Sequence, residues 1–102
     1  MIDYRNALIY QVIDDDGKRY IGHTTMSLSR RLNYHRNSAL REPMIYTKRD
    51  WYLHTAIREK GSDVFYIMLL EAPELPTKDE IEYRVRQLVQ DFQTNDPQYG
   101  YN

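Results

Sequence analysis

The chain has 102 residues, a length that suits one compact domain and is too short for two separate hydrophobic cores. Hydrophobic residues make up 41% and charged residues 28%, which is typical of a globular protein and argues against a disordered or collagen-like chain. The apolar runs are too short to span a bilayer, and the absence of cysteine excludes disulfides, thiolate metal sites and cysteine nucleophiles. The N-terminal sequence lacks the apolar core of a secretory signal, so we expect an intracellular protein, in the cytoplasm or nucleus, with no membrane partner.

Charge is unevenly distributed along the chain, although the formal net charge is only −1. Residues 18–60 contain ten Lys or Arg against three Asp or Glu, a balance of +7. Residues 61–102 contain three basic and eight acidic residues, a balance of −5. Because lysine and arginine bind phosphate backbones, the basic segment indicates a nucleic-acid partner despite the nearly neutral total.

The first third of the sequence predicts a β-hairpin followed by a helix. Residues 7–13 and 19–22 are apolar and β-prone, and the Asp-Asp-Asp-Gly-Lys run between them favours a turn. Ser27 is a suitable N-cap for a helix whose apolar positions recur at helical spacing. Pro43 marks the end of this helical segment, which carries several arginines.

A second helix and a third strand are predicted next. The helix fits residues 50–60, and Gly61 follows it in the position that favours a left-handed backbone. Residues 64–70 are β-branched, aromatic or aliphatic, so we expect a strand that is buried on both faces or nearly so. Pro73 and Pro76 end it.

The last helix is predicted to begin with a capping box, in which Thr77 and Glu80 each satisfy a free backbone N–H group. Its predicted buried stripe consists of Ile81, Val85, Leu88, Val89 and Phe92. The predicted order is therefore β-β-α-α-β-α, a small α+β domain over residues 1–102 with helices packed on a short sheet.

Several motifs, in order along the chain, resemble those of one nuclease family. Leu-Ile-Tyr at 8–10 and Tyr-Ile-Gly at 20–22 resemble the paired motif that names the GIY-YIG family, with Leu8 in place of the first glycine. Gly-His-Thr-Thr at 22–25 resembles the loop after the second strand. Residues 28–35 resemble the helix pattern of a leucine and an arginine with a histidine four residues later, and Gly-Tyr-Asn at 100–102 resembles the closing motif. The resemblance implies a GIY-YIG-like domain with a three-stranded, mostly antiparallel sheet flanked by helices.

The same residues have chemistry that suits phosphodiester hydrolysis, which needs an activated water and a group that offsets charge on the phosphate. Tyr10 and Tyr20 lie on adjacent strands of the predicted hairpin, so their hydroxyls can converge on one site. Arg31 and His35 share one helix face, and arginine grips phosphate with two donors. A tyrosine with a pKa of about 10 is a poor base in water, so we expect cationic neighbours and a metal-bound water to make its proton transfer easier.

The resemblance also implies roles for individual residues. In the family, the tyrosine of the first motif acts as general base, the arginine stabilises the phosphate, and one divalent ion, Mg²⁺ or Mn²⁺, sits on a glutamate of the last helix. These roles fall on Tyr10, Arg31 and Glu82, with Tyr20 and His35 as further catalytic candidates.

The position of the metal-binding glutamate has three alternatives. Glu82 lies at the edge of the predicted buried stripe, so its carboxylate can point towards the sheet. Glu80 already has a structural role as the partner of Thr77 in the capping box. Alignment from the C-terminal motif instead places Val85 at this position, and an apolar residue cannot bind magnesium. We therefore expect Glu82 to be the ligand, with Glu80 or a missing ligand as the alternatives.

Further residues are candidates for contact with the substrate. They are His23, Arg30, Arg36, Lys48 and Asn102. A candidate DNA-facing edge combines Lys48 with Arg49, Trp51 and His54, although for Trp51 we expect a core anchor instead. Each of these residues also has a purely structural alternative, such as a solvated helix arginine or a packed histidine.

Two functions compete on these grounds. The first is a metal-dependent DNA endonuclease, which by family resemblance leaves a 5′-phosphate and a 3′-hydroxyl. The second is a catalytically inactive nucleic-acid-binding module on the same fold; a protein-interaction domain has little support from the basic segment. Family members commonly carry a separate DNA-binding module, so we expect specificity to come from this domain itself, as monomer or homodimer, or from a separate targeting partner.

Overall fold

The computed structural model of the protein describes residues 3–44 and 47–102. Its strands and helices follow in the order β1 (Leu8–Ile13), β2 (Arg19–Thr24), α1 (Leu28–Leu40), α2 (Trp51–Lys60), β3 (Tyr66–Glu71) and α3 (Lys78–Phe92). Short 3₁₀ segments, Tyr4–Asn6 and Ser62–Val64, precede β1 and β3. The order confirms the predicted β-β-α-α-β-α arrangement and the α+β class. No helix in the described part of the chain is long and apolar enough to cross a membrane.

The sheet has three antiparallel strands in the order β2-β1-β3, so β1 is central. The β1–β2 hairpin closes through Asp14, whose side chain accepts hydrogen bonds from the backbone N–H groups of Asp16 and Lys18. Gly17 adopts a left-handed backbone with φ of +81° in this turn. The resulting register places Tyr10 opposite Gly22 and Val12 opposite Tyr20.

Side-chain alternation along the hairpin divides the core between the two faces of the sheet. Tyr10 and Tyr20 point to the face covered by α1 and α2, where they join a buried cluster with Leu32, Leu53 and Phe65. The intervening residues point to the opposite face, which packs against α3; the cluster there contains Ala7, Ile9, Ile21, Ile81 and Leu88. The two tyrosines of the paired motif therefore lie between the hairpin and the arginine-bearing helix α1.

The local signals for helix ends are confirmed. The Thr77 hydroxyl accepts from the Glu80 N–H and the Glu80 carboxylate accepts from the Thr77 N–H, which completes the predicted capping box. Gly61 ends α2 with φ of +96°, and Ser27 caps α1 through the Arg30 N–H. These features depend on neighbours in sequence, so the sequence could predict them.

Three predictions of burial are wrong. The third strand is an edge strand, and Tyr66, Met68 and Leu69 on it are 61%, 51% and 51% exposed rather than buried on both faces. An apolar run shows that a strand packs but not how many of its faces are covered. Trp51 is no core anchor, because it is 40% exposed at the start of α2. Phe92 is outside the buried stripe of α3 and instead lies under the Arg19 guanidinium, 4.8 Å from the ring centroid.

Candidate active site

Tyr10, the tyrosine of the first motif, is the centre of a buried hydrogen-bonded chain. Its hydroxyl accepts from Arg31 Nε at 3.2 Å and lies 2.8 Å from His35 Nε2. The other ring nitrogen of His35, Nδ1, lies 2.9 Å from His54 Nε2. Tyr10, His35 and His54 have no exposed side-chain surface. The structure thus brings together Tyr10, Arg31 and His35 as expected from the motifs, and adds His54 from α2.

Tyr20, the tyrosine of the second motif, has a different partner. Its hydroxyl donates to Asp50 Oδ1 at 2.5 Å, and Asp50 Oδ2 accepts from the Thr47 hydroxyl at 3.1 Å. The ring centroids of Tyr10 and Tyr20 are 6.2 Å apart, so the two tyrosines do converge on one place. Asp50 therefore fixes the orientation of Tyr20 at the N-terminus of α2.

Burial dominates the ionisation of these groups. It raises the pKa of Tyr10 to about 12, and the nearby Arg31 guanidinium offsets only part of that effect. The pKa of Tyr20 is also raised well above its usual value, first by burial. Burial, together with the Arg31 charge, lowers the pKa of His35 to about 3, so its imidazole is neutral. Arg31 lowers the pKa of Tyr10, as expected of a cationic neighbour, but in the free protein desolvation outweighs this effect.

Gly22, the glycine of the second motif, has a steric role at this site. An added Cβ would lie 2.8 Å from the Tyr10 hydroxyl oxygen and 3.0 Å from Tyr20 Cε1. Since Tyr10 and Gly22 face each other across the hairpin, a side chain here would collide with both tyrosines. Leu8, which stands at the first glycine of the motif, is half-buried at the start of β1 and pairs with Thr24 instead.

A cleft of about 1320 Å³ opens beside this buried network, along β2. Helix α1, the segment before α2, helix α3 and the C-terminal tail form its other walls. Arg31 lines the cleft, and its guanidinium lies 4.7 Å from the ring centroid of Tyr34, another cleft residue. The cleft has a basic lining, with Lys48, Arg49 and Arg86 beside Arg31. Arg31 thus contacts the buried Tyr10 hydroxyl and also borders the cleft.

Among the acidic residues of α3, the structure places Glu82 in the cleft. Its carboxylate lies 4.0 Å from Lys78 Nζ, a distant and exposed ion pair. Glu80 is bonded within its capping box and does not line the cleft. Burial and the Arg49 charge lower the pKa of His23 below its usual value, and the Glu82 carboxylate offsets part of this shift.

The predicted substrate contacts divide into two groups. His23, Lys48 and Asn102 line the cleft, and the Asn102 side chain bonds to both the N–H and the C=O of Ile21 at 2.8 Å. Arg30 and Arg36 are not among the described residues that line it. Arg36 Nη2 donates to the Phe65 carbonyl at 3.0 Å and so ties α1 to the start of β3.

His54 and Asp50 are the residues whose roles the sequence reasoning missed. The prediction that His54 belongs to a DNA-facing edge is wrong, because its side chain is fully buried. Asp50 was expected only as the start of a helix, yet it is bonded to Tyr20. The sequence does contain a signal that Asp50 and His54 act at the same place, since they are four residues apart and share one face of the helix α2. Their partners lie on β2 and α1, which the spacing alone does not reveal.

Two groups of side chains have the arrangement of potential metal ligands. Donor atoms of His35, Asp50 and His54 all lie within 4.8 Å of one another. Two imidazoles and a carboxylate suit zinc better than magnesium, which prefers oxygen ligands, and these donor atoms already share hydrogen bonds in the network. The second group, residues 14–16, surrounds Lys60 Nζ at 2.8 to 2.9 Å, so an ammonium already occupies the place between the carboxylates and offsets part of their charge.

Comparison with known proteins agrees with this geometry. The model of the GIY-YIG catalytic domain matches residues 6–95. The fold is similar to the catalytic domain of the homing endonuclease I-TevI, with a TM-score of 0.73 at 22% identity, covering 94% of this chain and 96% of that one. It is also similar to a glutamate-to-alanine mutant of the catalytic domain of the intron endonuclease I-TevI, with a TM-score of 0.74 at 21% identity, covering 95% and 92%.

At these identities, the structural likeness establishes the fold alone. A comparison with curated protein sequences gives no match. The family assignment rests on the match of the domain model, which spans most of the chain from the last residue of the first 3₁₀ segment to the tail after α3. The chain therefore belongs to the GIY-YIG family and is a GIY-YIG-type endonuclease domain.

Proposed function

We propose that the protein is a metal-dependent DNA endonuclease that hydrolyses phosphodiester bonds in the cleft and leaves a 5′-phosphate and a 3′-hydroxyl. The observation that carries this proposal is the position of Arg31. Its side chain borders a basic cleft and at the same time donates to the Tyr10 hydroxyl. A phosphate held by Arg31 would therefore lie next to the tyrosine that the family motif assigns as general base.

The charges of the cleft favour a nucleic-acid substrate. Lys48 and Arg49 are exposed on its rim, where their side chains can reach phosphates. Arg31 is half-buried, and arginine can bind a phosphate through two parallel hydrogen bonds. We propose that DNA binds as a substrate of this cleft, to a monomer or a homodimer, with a separate partner as one source of target specificity.

The buried network provides a route for one proton. As the attacking water loses a proton to the Tyr10 oxygen, the Tyr10 O–H proton can pass to His35 Nε2, 2.8 Å away. The resulting hydroxide attacks the phosphorus, and the bond to the 3′ oxygen breaks; this oxygen leaves with the bonding electron pair and takes a proton from solvent in the open cleft to become the 3′-hydroxyl. The Arg31 guanidinium stabilises negative charge on the phosphate oxygens during this step. Because burial lowers the pKa of His35 to about 3 in the free protein, this transfer requires the negative charge of the bound phosphate to favour the protonated imidazole.

Glu82 fits a site for one divalent ion. Its carboxylate lies in the cleft, and its ion-pair partner, Lys78 Nζ, is 4.0 Å away. No tight ion pair with Lys78 therefore competes with an ion for this carboxylate. A single carboxylate with substrate phosphate and water completes the oxygen shell that Mg²⁺ prefers. Mg²⁺ or Mn²⁺ held by Glu82 would offset phosphate charge and make the attacking water more acidic.

The alternative is a catalytically inactive nucleic-acid-binding module. The burial of Tyr10 favours it, since this residue does not itself line the cleft. A supercoiled-plasmid nicking assay separates the two functions. We expect the wild type to nick with Mg²⁺ or Mn²⁺ and to stop when the ion is chelated. DNA binding without nicking under either ion would support the inactive module.

Two matched glutamines test the metal position. Glu82→Gln keeps the shape of the side chain but removes its charge, so we expect DNA binding to persist and cleavage to be lost. Glu80→Gln is the control, because glutamine can also complete a capping box. Loss of cleavage in Glu80→Gln with retention in Glu82→Gln would show that the metal position is wrong.

A further inference from the structure

The first observation concerns the hydrogen atom of the Tyr10 hydroxyl. Arg31 Nε donates to this oxygen at 3.2 Å, His35 Nε2 lies 2.8 Å from it, and the Tyr20 hydroxyl is also within hydrogen-bonding reach. A guanidinium N–H can only donate, and the Tyr20 hydroxyl gives its own proton to Asp50. The buried Tyr10 O–H, which needs an acceptor, therefore has His35 Nε2 at 2.8 Å as the closely placed basic nitrogen that can take its proton.

The second observation concerns the proton on His35. Burial keeps this imidazole neutral, and a neutral imidazole has one N–H and one acceptor nitrogen. If Nε2 accepts from Tyr10, the proton is on Nδ1. That Nδ1–H points at His54 Nε2, 2.9 Å away, which must then be the acceptor. The three side chains form a chain of donors directed from Tyr10 towards α2.

The third observation is the position of His54. It is fully buried on the inner face of α2, so it touches neither the cleft nor a substrate. Without an acceptor at this place, His35 can carry its proton on Nε2 instead. In that tautomer His35 would donate to Tyr10 and could not accept a proton from it, and the Tyr10 O–H would turn to the Tyr20 oxygen, which is within reach.

We propose that His54 is a positioning residue for DNA cleavage, which fixes the His35 tautomer in which Nε2 accepts the Tyr10 proton. The proposal rests on the proposed function for its effect on cleavage. The tautomer itself is a property of the protein without DNA or metal, and it can be measured separately.

The test compares two substitutions of similar size. The carboxamide oxygen of Gln in His54→Gln can still accept the His35 N–H, whereas Leu in His54→Leu cannot. Nitrogen-15 NMR of labelled histidine should show Nδ1–H on His35 in the wild type and in His54→Gln, and Nε2–H in His54→Leu. In plasmid nicking, kcat of His54→Leu should fall at least about tenfold with DNA affinity unchanged, and His54→Gln should restore most of it.

Several outcomes would overturn the proposal. One is an Nε2–H tautomer on His35 in the wild type, a measurement that needs no variant to fold. Another is His54→Leu with the Nδ1–H tautomer and an unchanged kcat. A third is a His54→Gln protein with the low kcat of His54→Leu. If the wild type does not nick at all, the proposed function fails, and the His35 tautomer in wild type and His54→Leu still decides whether His54 fixes it.

Discussion

Replacement of Gly22 by alanine tests the geometry of the two tyrosines directly. The new Cβ would lie 2.8 Å from the Tyr10 hydroxyl oxygen, whereas ordinary contacts of this kind are about 3.5 Å. The hydroxyl must therefore move by about 0.7 Å, which is enough to break hydrogen bonds of 2.8 Å to His35 and 3.2 Å to Arg31. Tyr20 cannot give way freely, because Asp50 holds its hydroxyl.

Overpacking of this kind costs about 1 to 3 kcal/mol of unfolding free energy. In a domain of this size that lowers Tm by about 4 to 8 °C per kcal/mol. We expect Gly22→Ala to remain folded at 25 °C but to lose about 10²-fold or more in the nicking rate, since a displaced acid or base costs that much. Thermal unfolding by circular dichroism and plasmid nicking measure the two effects.

Gly17→Ala is the matched control. Gly17 has φ of +81°, and an added Cβ meets nothing within 4 Å, so the change introduces backbone strain of about 1 to 2 kcal/mol without a steric clash. We expect a similar loss of stability with nearly normal nicking. A Gly22→Ala protein that nicks at the wild-type rate would show that the placement of Tyr10 against Gly22 does not matter for cleavage.

Three further predictions follow from the site and its charges. Tyr10→Phe and Arg31→Ala should each reduce the nicking rate by about 10²- to 10⁴-fold, while circular dichroism shows a folded protein. Near-normal nicking by a folded Tyr10→Phe protein would contradict the assignment of Tyr10 as the general base. DNA affinity should fall steeply as the salt concentration rises, and Lys48→Glu should weaken binding to all sequences alike; DNA titrations at several salt concentrations measure both effects. Arg36→Glu should mainly lower stability, because Arg36 bonds to the Phe65 carbonyl just before β3. Because the pKa of His35 is lowered to about 3, the unfolded chain binds a proton between pH 3 and pH 6.5 that the folded protein does not, so unfolding free energy should fall by about 2 kcal/mol from pH 6.5 to pH 5. Urea unfolding measures this fall, and an equal fall in His35→Gln would assign it to other groups.

Local features of the fold could be predicted from the sequence because they depend on nearby residues. The hairpin follows from two β-prone runs around an aspartate- and glycine-rich turn, and the start of α3 follows from the spacing of Thr77 and Glu80. The convergence of Tyr10 with Arg31 and His35 was expected only from the family resemblance, because these residues lie on different elements, 21 and 25 positions apart.

Solvent exposure was predicted less well, because it depends on which elements cover a residue. The apolar run in β3 has the composition of a buried strand, yet the rest of the fold covers its faces only in part and leaves Tyr66, Met68 and Leu69 exposed. Arg36 has the appearance of a solvated helix arginine or a phosphate contact, but the fold brings it to the Phe65 carbonyl.

Local signals in the sequence are enough to predict the order of elements, the hairpin and the identity of the reactive side chains, since periodicity, turn residues and motif spacing are local properties. The chemistry of those side chains depends on the fold. Tyr10, Tyr20 and His35 form hydrogen bonds with residues 25, 30 and 19 positions away. The packing of α1 and α2 on the hairpin removes these groups from water, and this desolvation raises the pKa of both tyrosines and keeps His35 neutral.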